Sequence, residues 1–198
     1  IMPVMTAEQK ERKDMAAKLY APMQKAAPAG SHKTVSIWSR INYNNFKGLV
    51  VLVNFSDRQF TMSDPVAFYQ KLTSQANYTD DTKTNYPVDV EGSTRDYFRA
   101  NSCGIFDPSF DVAGPVTLSR TAASVGGQDV STSTLVNMFK SALDQLNPTV
   151  DFSQYDLNND GYIDMVYFIF AGYGSYVQGN NTGYIWAHAN DWTGYSSW

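Results

Sequence analysis

Residues 156–174 read DLNNDGYIDMVYFIFAGYG, an acidic loop with a glycine turn that runs directly into a long apolar segment. The apolar run from Met165 to Ala171 is typical of a buried central strand. In the loop before it, oxygen-bearing side chains occupy alternate positions and can converge on a hard cation, while Gly161 permits the sharp turn that convergence requires. These residues therefore predict a metal loop joined to a core strand.

The order of ligands in this loop favours calcium. The candidates are four side chains and one backbone carbonyl: Asp156, Asn158, Asp160, the carbonyl of Tyr162, and Asp164. They follow the first nine positions of an EF-hand loop, but position twelve is Tyr167, where an EF-hand has a bidentate glutamate. A strand also follows in place of a helix, so we expect a structural calcium site rather than a sensor. The alternative is an Asx-rich polar turn without an ion.

The chain divides into a basic head and an acidic body. Of its 198 residues, the first 48 carry eight Lys/Arg and three Asp/Glu (net +5), and the others carry seven and sixteen (net −9). We predict two parts: a head with its linker at 1–46 and a body at 47–198. The head is expected to contain a helix over 6–26. The head is interpreted either as a solvated helix or as a segment lying on the acidic body. The acidic body argues against a nucleic-acid partner, because phosphate contacts need clustered Lys/Arg.

Strands alternate with helices along the body, which predicts an α/β fold with a twisted mixed sheet. Residues 49–55 predict a strand that is covered on both faces, 105–118 two short antiparallel strands, and 184–188 a last short strand. Helices are expected to begin at Asp64-Pro65, at Ser93 and at Ser131–Ser133, from their capping residues. In the second helix, Tyr97 and Phe98 are expected to point inward.

Other chemistry is sparse in this sequence. Cys103 is the single cysteine, so no internal disulfide forms, and a buried inert thiol is the better interpretation. The two histidines, His32 and His188, are too few for a zinc site, which needs three or more ligands. No apolar run approaches the roughly 20 residues of a membrane span. Because weak calcium sites fill only where the ion is abundant, the loop favours an extracellular location.

Four segments resemble secreted bacterial metallopeptidases of the immune inhibitor A type. They occur in order as GLVVLVNFSDRQF (48–60), STRDYFRANSCGIFDPSFDVAGPV (93–116), VDFSQYDLNNDGYIDMVYFIFAGYG (150–174) and YIWAHA (184–189). The resemblance implies a zincin-like (α+β) catalytic domain, zinc-dependent cleavage of protein or peptide substrates, structural calcium, and secretion or a cell-surface location. It also implies that the head is the end of a pro-segment or the linker after it.

The family places its HExxH helix after the segment that resembles YIWAHA, and this chain ends at Trp198 without that motif. No catalytic residue or zinc ligand is therefore carried over. The resemblance implies that this chain corresponds to the upper subdomain of the catalytic domain. This subdomain is expected to be inactive alone and to be completed by the C-terminal remainder of the catalytic domain. It also implies an edge strand that binds substrate and consists of Tyr184, Ile185, Trp186, Ala187 and His188. The alternative is that these residues form an ordinary edge strand. A different hypothesis is a non-catalytic, calcium-dependent domain that binds a cell-surface protein or glycan.

Overall fold

A computed structural model describes residues 43–81, 89–127, 130–159, 161–175, 184–187 and 189. Most of the predicted head, including the helix expected over 6–26, lies outside these residues. Asp160 and His188, two of the predicted site residues, lie outside them as well.

Within the described residues the chain forms three α-helices and five β-strands. In chain order they are β1 (Lys47–Asn54), α1 (Pro65–Ser74), β2 (Thr79–Asp80), β3 (Val90–Glu91), α2 (Thr94–Asn101), β4 (Ser109–Thr117), α3 (Thr132–Leu146) and β5 (Val166–Phe170). Short 3₁₀ helices lie at Tyr43–Asn45, Ala122–Val125 and Phe152–Tyr155. None of the helices in the described ranges has the length and apolarity needed to cross a bilayer.

The main sheet has three strands in the order β4-β1-β5. β1 pairs with β5 in parallel. β4 is also parallel to β1, because the N–H of Ser109 donates to the carbonyl of Phe46 and the N–H of Leu118 donates to that of Asn54. The α/β class is therefore confirmed. The described sheet is parallel rather than mixed, and the antiparallel pair β2–β3 forms a separate sheet.

Three strand predictions were wrong. Residues 109–117 form the single strand β4, not two antiparallel strands. β5 lies at one edge of the described sheet, with Tyr167 exposed, and the central strand is β1. β1 is central because it pairs with β4 on one side and with β5 on the other, and every residue from Gly48 to Val53 is buried. Residues 184–187 form only isolated bridges through Ile185.

The helix starts were predicted correctly, because their caps are local in sequence. Ser93 forms a capping box with Asp96, in which the Ser93 hydroxyl accepts from the Asp96 N–H and the Asp96 carboxylate accepts from the Ser93 N–H. Ser131 caps α3. In α2, Phe98 packs edge-on against Phe106 as expected, but Tyr97 is 63% exposed, so its inward orientation was wrong.

The body consists of two compact units. The first comprises the described residues among 43–48, 70–110 and 154–164, and its core contains Phe46 and Phe110. The second comprises the described residues among 49–69, 111–153 and 165–189, which include the β1–β5 pairing. In the second unit α3 covers one face of β5, where the rings of Phe139 and Phe168 lie 4.4 Å apart.

Candidate functional site

The predicted calcium loop is closed by its own backbone. It follows the 3₁₀ helix Phe152–Tyr155, and the N–H of Asp164 donates to the carbonyl of Tyr155 at 2.9 Å. Tyr155 is buried, so this closure is anchored in the first unit. The two ends of the loop are therefore held together, which brings its side chains into one small region.

Asp164 ties the last position of the loop to the first turn. One carboxylate oxygen accepts from the N–H of Leu157 at 2.6 Å, and the other accepts from Nδ2 of Asn158 at 3.0 Å. An ionised carboxylate has about four acceptor positions, so these two bonds leave capacity for a cation. Asp164 can therefore act both as a structural acceptor and as a metal ligand.

The side-chain oxygen of Asn158 is the best sign of a cation in this loop. It is buried and has no hydrogen-bond partner among the described residues. The amide orientation is fixed by Asp164, because the flipped amide would turn its oxygen toward that carboxylate. A buried acceptor without a partner costs about 1–3 kcal/mol. A calcium ion would satisfy this oxygen, so the residues present fit the predicted ion.

The turn at Gly161 has the conformation that the sequence predicts. Its φ is +89°, in the left-handed region that favours glycine, and its N–H donates to the Asp156 carboxylate at 2.8 Å. This bond is also typical of an Asx-rich turn without an ion. The turn geometry alone does not separate the two interpretations.

The structure brings together the side chains of two of the five predicted ligands, Asn158 and Asp164, and places the Asp156 carboxylate against the Gly161 turn of the same loop. Tyr162 lies in the same loop with an exposed side chain, and Asp160 lies outside the described residues. In the described ranges, no three or more His, Cys, Asp and Glu side chains form a group that could hold a metal. Calcium binding therefore stays a prediction.

The predicted substrate segment is already paired within the chain at its start. The carbonyl of Tyr184 accepts from the N–H of Gly127 at 2.8 Å, and the carbonyl of Ile185 accepts from the N–H of Ser175 at 3.0 Å. Trp186 and Ala187 are exposed, and His188 lies outside the described residues. A peptide would thus find fewer main-chain acceptors here than an open edge strand offers.

An ion pair stabilises the first unit away from the loop. Nε and Nη2 of Arg95 donate to the two oxygens of Asp107 at 2.6 and 3.0 Å, and Nε of Arg99 lies 3.5 Å from the same carboxylate. The hydrogen bond from Arg95 holds the pKa of Asp107 below its ordinary value, and burial opposes this only in part. The pair links α2 to the segment before β4, so its role is structural.

The chain matches no protein-family model and no curated protein. The resemblance to immune inhibitor A type metallopeptidases therefore rests on the four sequence segments, and zinc binding and peptide cleavage stay predictions.

Sequence analysis missed a cavity at the carboxyl ends of β1 and β5. This small open crevice has room of about 20 Å³ and lies entirely in the second unit. Its walls include Phe55, Arg58, Phe170, Tyr173, Tyr184 and Ile185. The signal in the sequence is position, because crevices at the carboxyl ends of parallel strands are the usual ligand sites of open α/β sheets.

Proposed function

We propose that this chain forms the N-terminal, upper part of the catalytic domain of a secreted bacterial zinc endopeptidase that hydrolyses proteins. The four ordered segments support the zincin-like assignment, and the α/β class of the body agrees with it. The proposal assigns the acidic loop a structural calcium ion. The observation that carries this assignment is the buried Oδ1 of Asn158, which has no partner among the described residues and lies in a loop with two carboxylates.

Calcium in this loop would stabilise the entry to the sheet. β5 begins two residues after Asp164, and the N–H of Leu49 in β1 donates to the carbonyl of Met165 at 3.2 Å. An ion that orders Asp164 therefore orders the residue just before this hydrogen bond. This is a structural role, and it agrees with the absence of a bidentate glutamate at Tyr167.

The residues of this chain do not fit a catalytic zinc site. The sequence has two histidines, His32 and His188, and no HExxH motif. We therefore derive no catalytic step from it, and zinc belongs to the proposed C-terminal remainder of the catalytic domain. The contribution proposed for this chain is to bind substrate along the predicted edge, 184–188, in which Trp186 and Ala187 are exposed.

The test is proteolysis by the full-length protein. We expect it to cleave unfolded casein, to lose this activity with a zinc-selective chelator in saturating calcium, and to regain it when zinc is restored. As calcium alone is removed, the melting temperature should fall at calcium concentrations that still leave the folded enzyme active. A full-length protein that contains HExxH but shows no chelator-sensitive cleavage of any protein substrate would contradict the proposal.

A second candidate is a non-catalytic, calcium-dependent domain that binds a cell-surface protein or glycan. It is favoured by exposed aromatic side chains near the predicted edge, since Tyr173 is 65% exposed and Trp186 is 38% exposed. Exposed aromatic rings with a polar group are common in binding surfaces. Calcium-dependent retention of the chain on cells or on a glycan array, together with a full-length protein that lacks protease activity, would favour this alternative.

A further inference from the structure

Among the described residues, the crevice at the carboxyl ends of β1 and β5 has one cationic side chain, Arg58, on an otherwise mainly apolar wall. Arg58 follows β1, and its position is fixed by backbone hydrogen bonds: the Phe55 N–H donates to the Arg58 carbonyl at 2.7 Å, and the Arg58 N–H donates to the Phe55 carbonyl at 3.3 Å. The Arg58 stem runs past Gly172, where an added Cβ would lie 3.9 Å from its Cγ and Cδ. The residues that follow β1 and β5 therefore fix the position of Arg58.

No neighbour neutralises this guanidinium within the described part of the chain. The Arg58 side chain is exposed and makes no ion pair or hydrogen bond with described residues. The adjacent acid, Asp57, is engaged elsewhere, because its Oδ1 accepts from the N–H of Ala122 at 2.9 Å. Arg95 and Arg99, in contrast, both lie beside the carboxylate of Asp107. Arg58 thus offers a planar set of donors that matches a carboxylate.

The rest of the wall is aromatic and aliphatic. The rings of Phe55 and Phe170 stack with centroids 5.7 Å apart, and those of Tyr173 and Tyr184 meet edge-on at 6.4 Å. The room inside the crevice is about 20 Å³, far below the roughly 300–1,000 Å³ of a site for a drug-sized ligand. A ligand group would therefore lie across the mouth of the crevice, beside the exposed Arg58.

We propose that this crevice binds the carboxylate of an acidic residue in an extended peptide, with Arg58 pairing the charge and the aromatic wall packing against the side-chain methylenes. The naming of a peptide as the ligand rests on the proposed function. The pocket itself rests on the strand ends, on the unpaired Arg58 and on the apolar wall.

The test compares two short peptides that differ in one group. One contains a central glutamate, the other a glutamine at the same position, and both are acetylated and amidated so that the glutamate carries the only carboxylate. Titrated into the full 198-residue chain, the glutamate peptide should bind about three- to tenfold more tightly at low salt, and the preference should shrink as salt rises.

Variants then assign the preference to Arg58. Arg58→Gln should remove the preference for the glutamate peptide and change the affinity for the glutamine peptide by no more than about twofold. Arg58→Lys should keep part of the preference, because lysine retains the positive charge but lacks the planar guanidinium that donates two hydrogen bonds. Lys140→Gln is the matched control, since it removes one positive charge from the exposed face of α3, where Lys140 pairs with Asp144. It should leave the preference unchanged.

Three outcomes would overturn the inference: no binding of either peptide, equal binding of both, or a preference that survives in Arg58→Gln. Circular dichroism and melting curves check that each variant is folded, and the exposed position of Arg58 favours this. The result is separable from the proposed function. Proteolysis by the full-length protein without a glutamate preference would contradict only the pocket, and glutamate binding without proteolysis would contradict only the peptidase.

Discussion

The carboxylate of Asp164 accepts a hydrogen bond from the backbone N–H of Leu157 at 2.6 Å. The last acid of the acidic loop therefore stabilises the first turn of the same loop, seven residues earlier in the chain. Its other oxygen accepts from the amide of Asn158, whose own oxygen is the buried acceptor without a described partner. Asp164 thus has a structural role in the fold besides its predicted role as a ligand, and Asp156, which accepts from the Gly161 N–H, takes part in the turn of the same loop.

Asp164→Ala should destabilise the protein whether or not calcium is present. The substitution leaves the Leu157 N–H and the Asn158 amide without their acceptor, and we expect it to lower the free energy of unfolding by about 1–3 kcal/mol. Denaturant unfolding in chelator measures this directly. Asp144→Ala is the control, because its exposed pair with Lys140 should contribute only about 0.3–0.5 kcal/mol. Equal stability of Asp164→Ala and wild type in chelator would contradict the structural role.

Asp160→Ala should act only through calcium. The alternating spacing predicts Asp160 as a ligand, and in the calcium interpretation its main role is to neutralise the ion. We expect the variant to melt in calcium at a temperature near that of the wild type in chelator. Differential scanning fluorimetry with and without calcium is sufficient. If calcium raises the melting temperature of wild type and variant equally, Asp160 is not a ligand and the Asx-turn interpretation gains.

The Arg95–Asp107 pair should make stability depend on pH in the acid range. The folded-state pKa of Asp107 is lowered by its hydrogen bond from Arg95, so the pair stabilises the fold fully above the unfolded pKa of about 4. This contribution is lost as pH falls through the lower, folded pKa. Asp107→Asn should therefore cost stability at neutral pH and little at strongly acid pH.

The expected cost at neutral pH is about 1–2 kcal/mol. This cost is at the lower end of the range for a hydrogen bond between charged groups. The reason is that the two side chains are 31% and 33% exposed, so solvent screens their charges. Urea unfolding over a pH series gives the two curves, and Asp144→Asn, in an exposed pair, is the control. A difference between wild type and Asp107→Asn that stays constant down to the lowest pH would rule out this linkage.

The sequence predicted the helices of this fold better than its sheet. Helix starts depend on groups within three residues of each other, as in Ser93 and Asp96, and such patterns are visible in a single sequence. Strand order depends on partners far along the chain. The apolar runs of β1 and β5 look alike, and only their pairing makes β1 the central strand and leaves β5 at the edge.

The same difference explains which parts of the site were foreseen. The acidic loop lies within nine consecutive residues, so candidate ligands can be predicted from their spacing. The crevice beside Arg58 needs the ends of two strands more than a hundred residues apart, and no local pattern marks it. The two strands predicted over 105–118 form one strand, because Gly114-Pro115, a pair that is typical of turns, lies inside β4.

Gly114→Ala should be far more disruptive than a glycine replacement at a turn. Gly114 has φ +104°, and an added Cβ would lie 2.6 Å from the carbonyl oxygen of Leu52 and 2.9 Å from the N–H nitrogen of Val116, both backbone atoms of the sheet. Because neither can move without disturbing the β4–β1 pairing, we expect a loss of about 2–5 kcal/mol. Gly104→Ala is the matched control, since Gly104 has φ +79° and no atom within 4 Å of the added carbon. It should cost only the backbone strain, about 1–2 kcal/mol. Equal losses in denaturant unfolding of the two variants would show that the close approach of β4 to Leu52 is not what requires glycine there.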